Sequence, residues 1–139
     1  MKRTAALLVL LSSLALSAAD QPAVKKASAP YTLPTSGEKV YLAYCASCHG
    51  AKGLGDGPVA SSLKAPLPDL TTLAKRNQGQ YPSARVSESI RGEALSKAHG
   101  TADMPVWGPV FRALDSRSEG ATNIRVYNLV KHVESLQAK

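Results

Sequence analysis

The chain has 139 residues, with 17 basic and 10 acidic side chains and a formal net charge of +7. A chain of this length holds one domain and little else. Its basic residues never occur more than two in a row, and this scatter disfavours a nucleic-acid-binding stripe. The basic surface either stays solvated or meets an acidic protein partner, and both interpretations remain open.

The first 19 residues have the pattern of a cleavable secretory signal peptide. Lys2 and Arg3 precede an apolar run at positions 5–16, and Ala19 is a small residue of the type that precedes a cleavage site. The alternative is a retained membrane anchor, but the run is shorter than the roughly 20 residues that span a bilayer. We therefore expect a periplasmic or otherwise extracytoplasmic protein with no stable membrane span and, after cleavage, a net charge of +5.

Residues 20–34 are rich in Pro, Ala, Lys and Ser and are predicted to form a flexible linker. The remaining residues, 35–139, are predicted to form the domain. The whole chain has only one Phe, one Trp and five Tyr, and a domain of about 100 residues has limited surface to bury. A large apolar cofactor at the centre of the domain would add buried apolar surface that so few aromatic side chains cannot supply.

Helical periodicity dominates the start of the domain. Thr35 with Glu38 fits a capping box that opens a helix. Val40, Tyr41 and Tyr44 follow at helical spacing and predict an apolar stripe.

Three further segments follow this first helix. Residues 65–73 are punctuated by proline and predicted to be extended, and a second helix with Val86 and Ile90 is predicted to stop near Gly92. A long helix over 119–137 is expected to place four apolar residues on one face, at spacings of three: Ile124, Tyr127, Val130 and Val133. No segment shows the alternation typical of a strand, so we predict an all-α fold.

The only two cysteines lie three positions apart, directly before a histidine, in the sequence CASCH at residues 45–49. Residues i and i+3 of a helical turn share a face, so Cys45 and Cys48 can reach the edge of one flat ligand while His49 projects toward its centre. Two thioether bonds and an axial imidazole are what a c-type haem requires. We therefore predict one covalently attached haem c, with His49 as an iron ligand. The glycines that follow would let the backbone pass close to the macrocycle.

Three other interpretations of the motif are weaker. A thioredoxin-like redox pair needs a βαβ pattern, and none is visible. A disulfide between residues three apart closes a loop too small to stabilise much. A zinc site needs a fourth ligand, and the chain has no second cysteine pair.

With these residues the sequence resembles the class I monohaem cytochromes c. The resemblance covers about residues 35–137 and rests on four short motifs: CASCH at 45–49, PDL at 68–70, MPVW at 104–107 and a terminal helix ending LVKHVESLQ. It implies a small bundle of three to five helices wrapped around the haem, whose first and last helices cross. The glycine and the aromatics of that crossing correspond to Gly37, Tyr41 and Tyr127.

The resemblance also implies a second axial ligand of the iron, opposite His49. Met104, the only methionine besides Met1, becomes the axial thioether, and Pro105 stiffens its loop. His99 in the same loop is the rival ligand, so a bis-histidine site stays open. His132 is expected to be a surface residue.

Three further residues are expected around the haem. The carbonyl of Pro68 is the predicted acceptor for the second ring nitrogen of His49, with Pro66 as a nearby alternative, and Leu70 is expected to pack on the haem. Trp107 offers a ring for the haem edge, although ordinary core packing explains it equally well.

The predicted function is electron transfer by a protein that is not an enzyme. No acid–base pair or nucleophile is required for it, and its partners would be redox proteins, acidic ones among them. The alternative is a haem enzyme or gas sensor whose iron has an open or bis-histidine site. The sequence does not name the electron donor or acceptor.

Overall fold

The computed structural model describes residues 29–93, 104–116 and 118–138. Within these ranges the chain forms six α-helices and two 3-10 turns and no strand: α1 Gly37–Tyr44, α2 Ala46–His49, a turn at Ala60–Ser62, a turn at Leu70–Thr72, α3 Leu73–Arg76, α4 Ser83–Arg91, α5 Trp107–Leu114 and α6 Glu119–Ser135. The predicted all-α fold is confirmed. The helix count exceeds the expected three to five because α2 and α3 have only four residues each.

The predicted signal peptide and most of the predicted linker lie outside the described residues. The last part of that linker, residues 29–34, is described and lies against α6, where Arg125 and Asn128 donate hydrogen bonds to its backbone carbonyls. The division into signal, linker and domain stays a prediction. None of the helices in the described ranges combines the length and the apolar character that crossing a membrane requires.

α1 and α6 pack directly on each other at Gly37. A Cβ atom on Gly37 would lie only 2.1 Å from the carbonyl oxygen of Asn128, so only glycine permits this approach. Tyr41, fully buried one turn later, packs against the His132 ring at a tilted angle, with 5.0 Å between ring centroids. The predicted crossing residues Gly37 and Tyr41 are therefore at the crossing. Tyr127 is not, because its side chain is 64% exposed.

The buried face of α6 differs from the predicted one. Its members are Thr122, Arg125, Val126, Leu129, Val130 and Val133. Ile124 is 47% exposed, and Tyr127 lies beside it on the solvent side. A helix has 3.6 residues per turn, so a row at spacings of three drifts by about 60° at each step and passes from the solvent face to the core. The prediction for Ile124 and Tyr127 was therefore wrong, whereas Val130 and Val133 are buried.

Two predicted boundaries also shift. α1 begins at Gly37, and the residue that caps it is Ser36, whose hydroxyl accepts a hydrogen bond from the Lys39 amide; the prediction of Thr35 as the cap was one residue early. The segment 65–73 is not extended throughout, because the Asp69 carboxylate accepts hydrogen bonds from both the amide and the hydroxyl of Thr71. This cap starts the 3-10 turn that leads into α3.

The end of α6 is tied to the segment that leads into α3. The side-chain amide of Gln137 accepts a hydrogen bond from the Ala74 amide at 2.9 Å and donates one to the Leu70 carbonyl at 2.8 Å. The Ala138 amide donates to the Thr71 carbonyl at 2.8 Å. These three bonds fix the backbone on which Leu70 sits.

Arg125 is the largest fully buried side chain among the described residues. Its guanidinium forms a two-pronged ion pair with Asp115, at 3.0 Å and 2.8 Å, and its remaining nitrogen donates to Thr32. Burial alone would lower its pKa, but the hydrogen bond to Asp115 and that group's charge raise it. A charge of this kind is tolerated inside a protein only when its donors are all paired.

His132, predicted to lie at the surface, is half-buried at the crossing of α1 and α6. Its Nε2 atom is buried and has no hydrogen-bond partner among the described residues. Burial lowers the pKa of His132, and only the nearby Glu38 charge opposes that shift. The surface prediction failed because it relied on polar neighbours such as Lys131 and Glu134, whereas the ring of His132 packs against Tyr41.

Replacing Gly37 by alanine should destabilise the folded protein by about 1–3 kcal/mol, because the new methyl group overpacks the crossing. Gly120→Ala is the matched control: Gly120 lies in the first turn of α6, and a Cβ there meets nothing closer than 3.7 Å. It should leave stability unchanged or raise it by up to about 1 kcal/mol. Urea unfolding of both variants measures this, and equal stabilities would contradict the tight crossing.

His132→Phe should raise stability more at acidic than at neutral pH. Because the folded state holds the pKa of His132 below its ordinary 6.5, the unfolded chain binds a proton there first as the pH falls. The wild type therefore loses stability as the pH falls through 6.5, whereas phenylalanine keeps the packing against Tyr41 without titrating.

Thermal unfolding between about pH 7.5 and 5.5 tests this. The gap in melting temperature between His132→Phe and the wild type should widen as the pH falls. The control Tyr127→Phe, on the exposed side of the same helix, should show a constant gap. A constant gap for both variants would mean that His132 does not titrate differently in the folded state.

Candidate haem site

The motif residues lie where α1 passes into α2. Cys45 caps the end of α1 and donates its amide to the Tyr41 carbonyl at 2.8 Å, while its own carbonyl accepts from the amides of Cys48 and His49 at 3.1 and 2.8 Å. This single turn places both thiols and the imidazole on one side, as the spacing predicted. All three residues line one cavity of about 450 Å³, a size in the range of small-molecule and cofactor sites.

A second cavity of about 200 Å³, which we call the inner cavity because fully buried residues such as Tyr41 and Leu129 line it, adjoins the first, the outer cavity. Four residues line both cavities, and they are Cys45, His49, Pro68 and Met104. The two cavities are thus adjacent parts of one cleft. Apolar side chains make up most of its walls, among them Leu70, Ile90, Leu129 and Val133.

The structure brings all seven predicted site residues to this cleft. Four line both of its parts, as above; Cys48 and Trp107 line the outer cavity and Leu70 lines the inner one. The rival ligand His99 lies outside the described residues. Pro66 lines the outer cavity beside Pro68, so both proline alternatives remain near the site.

His49 is the most constrained member of the site. It is 9% exposed, and its Nδ1 atom is buried without a hydrogen-bond partner among the described residues. Pro68 lines the same cavities, but the predicted hydrogen bond from His49 to its carbonyl is not formed here and stays a prediction. Burial lowers the pKa of His49, which favours the neutral imidazole that metals bind.

The two thiols are free and differ in burial. Cys45 is buried and Cys48 half-buried, and no disulfide joins them. Burial, reinforced by the nearby Cys48, raises the pKa of Cys45 to about 12, so its sulfur stays a neutral thiol at ordinary pH. The described residues also contain no group of three or more metal-binding side chains of the His, Cys, Asp and Glu types, which gives no support to the zinc interpretation.

Met104 and Trp107 also line the outer cavity. Met104 is 37% exposed and lies three positions before Trp107, the first residue of α5. The Trp107 ring packs against Tyr44 at 5.4 Å between centroids. Tyr44 is a site residue that sequence reasoning assigned only to the core; its position next to Cys45 was the signal that it also faces the cleft.

The loop after the motif folds back onto it. The amide of Gly55 donates to the His49 carbonyl at 2.8 Å, and the amide of Gly57 donates to the Cys48 carbonyl at 3.1 Å. A Cβ on Gly57 would lie 2.4 Å from the Cys48 carbonyl oxygen. Gly57 therefore has to be a glycine because of the protein's own backbone, and the expectation that the glycines make room for the macrocycle stays a prediction.

Tyr41 connects the helix crossing to the site. Its hydroxyl donates to the carbonyl of Gly50, the residue after His49, at 2.7 Å. Burial, with smaller effects from Cys45 and Asp56, raises the pKa of Tyr41 to about 12, so the hydroxyl keeps its proton. The same ring thus packs on α6 and holds the backbone that follows the imidazole.

The residues present fit a covalently bound haem. Two cysteine sulfur atoms, an imidazole with an unpaired buried nitrogen and a thioether all line one apolar cleft. Sulfur, imidazole and thioether groups are the ligands of c-type haem proteins. The cleft offers no cluster of carboxylates that would suit a hard cation instead.

A family model described as Cytochrome c matches residues 34–137. The match spans the cleft, both crossing helices and the loop that carries Met104. No match was found among curated proteins or among solved structures.

Proposed function

This chain belongs to the cytochrome c family, and we propose that it is an extracytoplasmic electron carrier with one haem c and His49–Met104 axial ligation. Family membership implies a covalently bound haem with its iron, and haem-based electron transfer. The observation that carries the finer proposal is the shared lining of the two cavities: His49 and Met104 each face both parts of the cleft.

Each group of the cleft has a distinct part in this proposal. When bound, the haem iron supplies a one-electron redox couple. Cys45 and Cys48 attach the macrocycle, and His49 is held in place by the turn and by the Gly55 amide. The apolar walls exclude water and keep the site rigid, so that little rearrangement accompanies a change of charge.

The compartment is proposed from the predicted signal peptide. Residues 1–19 would direct export, and covalent haem attachment through two thioethers suits a protein outside the cytoplasm. The donor and acceptor would be redox proteins that approach the outer cavity. Lys64 is exposed and lies between Leu63 and Ala65, which both line that cavity, so we propose a partner with an acidic surface.

The alternative function is a haem enzyme or gas sensor with an open iron site. Met104 is 37% exposed, and this exposure is the observation that favours testing the alternative. It predicts that the reduced protein binds carbon monoxide readily, whereas a six-coordinate carrier binds it poorly.

Haem should remain on the polypeptide after denaturation, because thioether bonds do not depend on the fold. The protein, made together with a haem-attachment system, is run on a denaturing gel and stained for haem peroxidase activity. A stained band is expected for the wild type and none for the Cys45→Ala/Cys48→Ala double variant. An unstained wild-type band would overturn the proposed cofactor.

Met104→Ala should remove the weak sulfur-to-iron charge-transfer band of the oxidised protein, lower the reduction potential and admit carbon monoxide. A thioether favours the reduced iron, so its loss favours the oxidised form. His99→Ala is the matched control and should leave all three properties unchanged. The reverse result, with loss of low-spin character in the His99 variant alone, would indicate bis-histidine ligation.

Electron transfer with an acidic redox protein should slow as salt is raised. Charge steering raises association rates by ~10 to 1000-fold and falls steeply with ionic strength. Lys64→Gln, beside the outer cavity, should flatten this dependence. Lys131→Gln should not, because Lys131 lies on α6 and is paired with Glu134. A flat or rising wild-type profile in stopped-flow kinetics would contradict an acidic partner.

A further inference from the structure

Residues 29–34, which we call the strap, lie against α6 and the last residue of α1. Three side chains of the domain hold it by its backbone. The Tyr44 hydroxyl donates to the Pro30 carbonyl, Arg125 Nη1 donates to the Thr32 carbonyl at 2.8 Å, and the Asn128 amide donates to the Pro34 carbonyl at 3.1 Å. A segment that serves only as a flexible linker needs no hydrogen bonds to the domain, so these three bonds indicate a structural role for residues 29–34.

The central anchor completes the pairing of a buried charge. Arg125 is fully buried, and Asp115 occupies two of its nitrogens. The third, Nη1, donates to both the carbonyl and the hydroxyl of Thr32, at 2.8 and 2.5 Å. Without the strap this nitrogen would lose both acceptors, and an unpaired donor on a buried cation is strongly unfavourable.

An aromatic cluster continues from Arg125 to the cleft. The guanidinium carbon lies 5.5 Å from the centroid of the Phe111 ring. Phe111 stacks on Trp107 at 5.8 Å and meets Tyr44 edge-on at 5.3 Å. Trp107 and Tyr44 both line the outer cavity, so the strap holds Tyr44 directly and Trp107 through Arg125 and Phe111.

We propose that the strap is a positioning element of the haem pocket: by anchoring Arg125 and Tyr44, it holds Trp107, and with it residues 104–106, in place at the cleft. Met104 lies three positions before Trp107, with Pro105 between them, so a shift of Trp107 moves the residue that carries the thioether. This inference rests on the proposed function only for the role of Met104. The effect on Trp107 is independent of the iron ligand.

Thr32→Val tests the proposal from outside the pocket. The substitution keeps the shape of the side chain and removes one acceptor from Arg125, and a hydrogen bond is worth about 1 kcal/mol, or roughly a fivefold shift in an equilibrium. Tyr44→Phe is the second variant, because it releases the Pro30 anchor without touching Arg125. Both are made in the full-length holoprotein.

Two measurements report the effect of each substitution, the first at Trp107 and the second at Met104. Trp107 is the only tryptophan, so its indole N–H gives a single resonance in the reduced protein, and its hydrogen exchange should accelerate by about fivefold. In the oxidised protein, added imidazole measures how firmly Met104 is held at the cleft. Its apparent affinity should rise by a similar factor in both variants, since it competes with Met104 for the iron.

Two controls separate positioning from a general loss of stability. Thr35→Val changes an exposed threonine beside the strap. Tyr81→Phe removes one hydrogen bond to α6, from the Tyr81 hydroxyl to the Val130 carbonyl at 3.0 Å, away from the strap. Neither should alter the indole exchange or the imidazole affinity, and a Tyr81→Phe effect as large as that of Thr32→Val would overturn the proposal.

The remaining outcomes are also decisive. If Thr32→Val and Tyr44→Phe match Thr35→Val in both readouts, the strap has no positioning role. If indole exchange changes while imidazole affinity does not, and Met104→Ala does raise that affinity, the link from Trp107 to the Met104 loop is refuted. If Met104→Ala leaves imidazole affinity unchanged, the axial assignment fails instead, and the indole readout alone decides whether the strap holds Trp107.

Discussion

The contact between α1 and α6 at Gly37 is the constraint on which the rest of the structure depends. Because no side chain separates the two backbones there, Tyr41 is pressed onto His132, and its hydroxyl reaches the Gly50 carbonyl. α1 ends at Tyr44, and its capping residue Cys45 begins the turn that carries His49. The position of the imidazole in the cleft is thus set by a helix contact more than a turn away from it.

Much of the site could be predicted from the sequence, because the motif is local. The spacing of Cys45, Cys48 and His49 determines a single turn whatever the rest of the chain does, and the structure has that turn. The resemblance to a family supplied Met104, Pro68, Leu70 and Trp107, which the structure brings to the same cleft. Their chemical roles depend on a cofactor that the polypeptide alone does not reveal.

The details that the sequence did not predict are those decided by long-range packing. Tyr127 was expected at the helix crossing and is exposed, whereas His132 was expected at the surface and lies at the crossing. Which of them faces α1 depends on the rotation of α6 about its own axis, and that rotation is set by the contact at Gly37. The sequence did not predict that Arg125 is buried, because a charged side chain is expected at the surface. Its burial is tolerated because Asp115 and Thr32 together accept its hydrogen bonds. Neither partner is close to Arg125 in the sequence.

The hydrogen bond from Asn128 to Pro34 closes a loop of 94 residues, and this has a consequence for the order in which the molecule assembles. Closing so long a loop is entropically unfavourable and is repaid only when both helices dock. α1 and its adjoining turn can form locally, whereas the crossing can form only after the last helix has been synthesised. Until then the cysteine turn belongs to an open chain, in which the Cys45 thiol is accessible. Docking of the last helix then buries that thiol, so any chemistry at Cys45 that needs access from outside has to come before the two terminal helices meet.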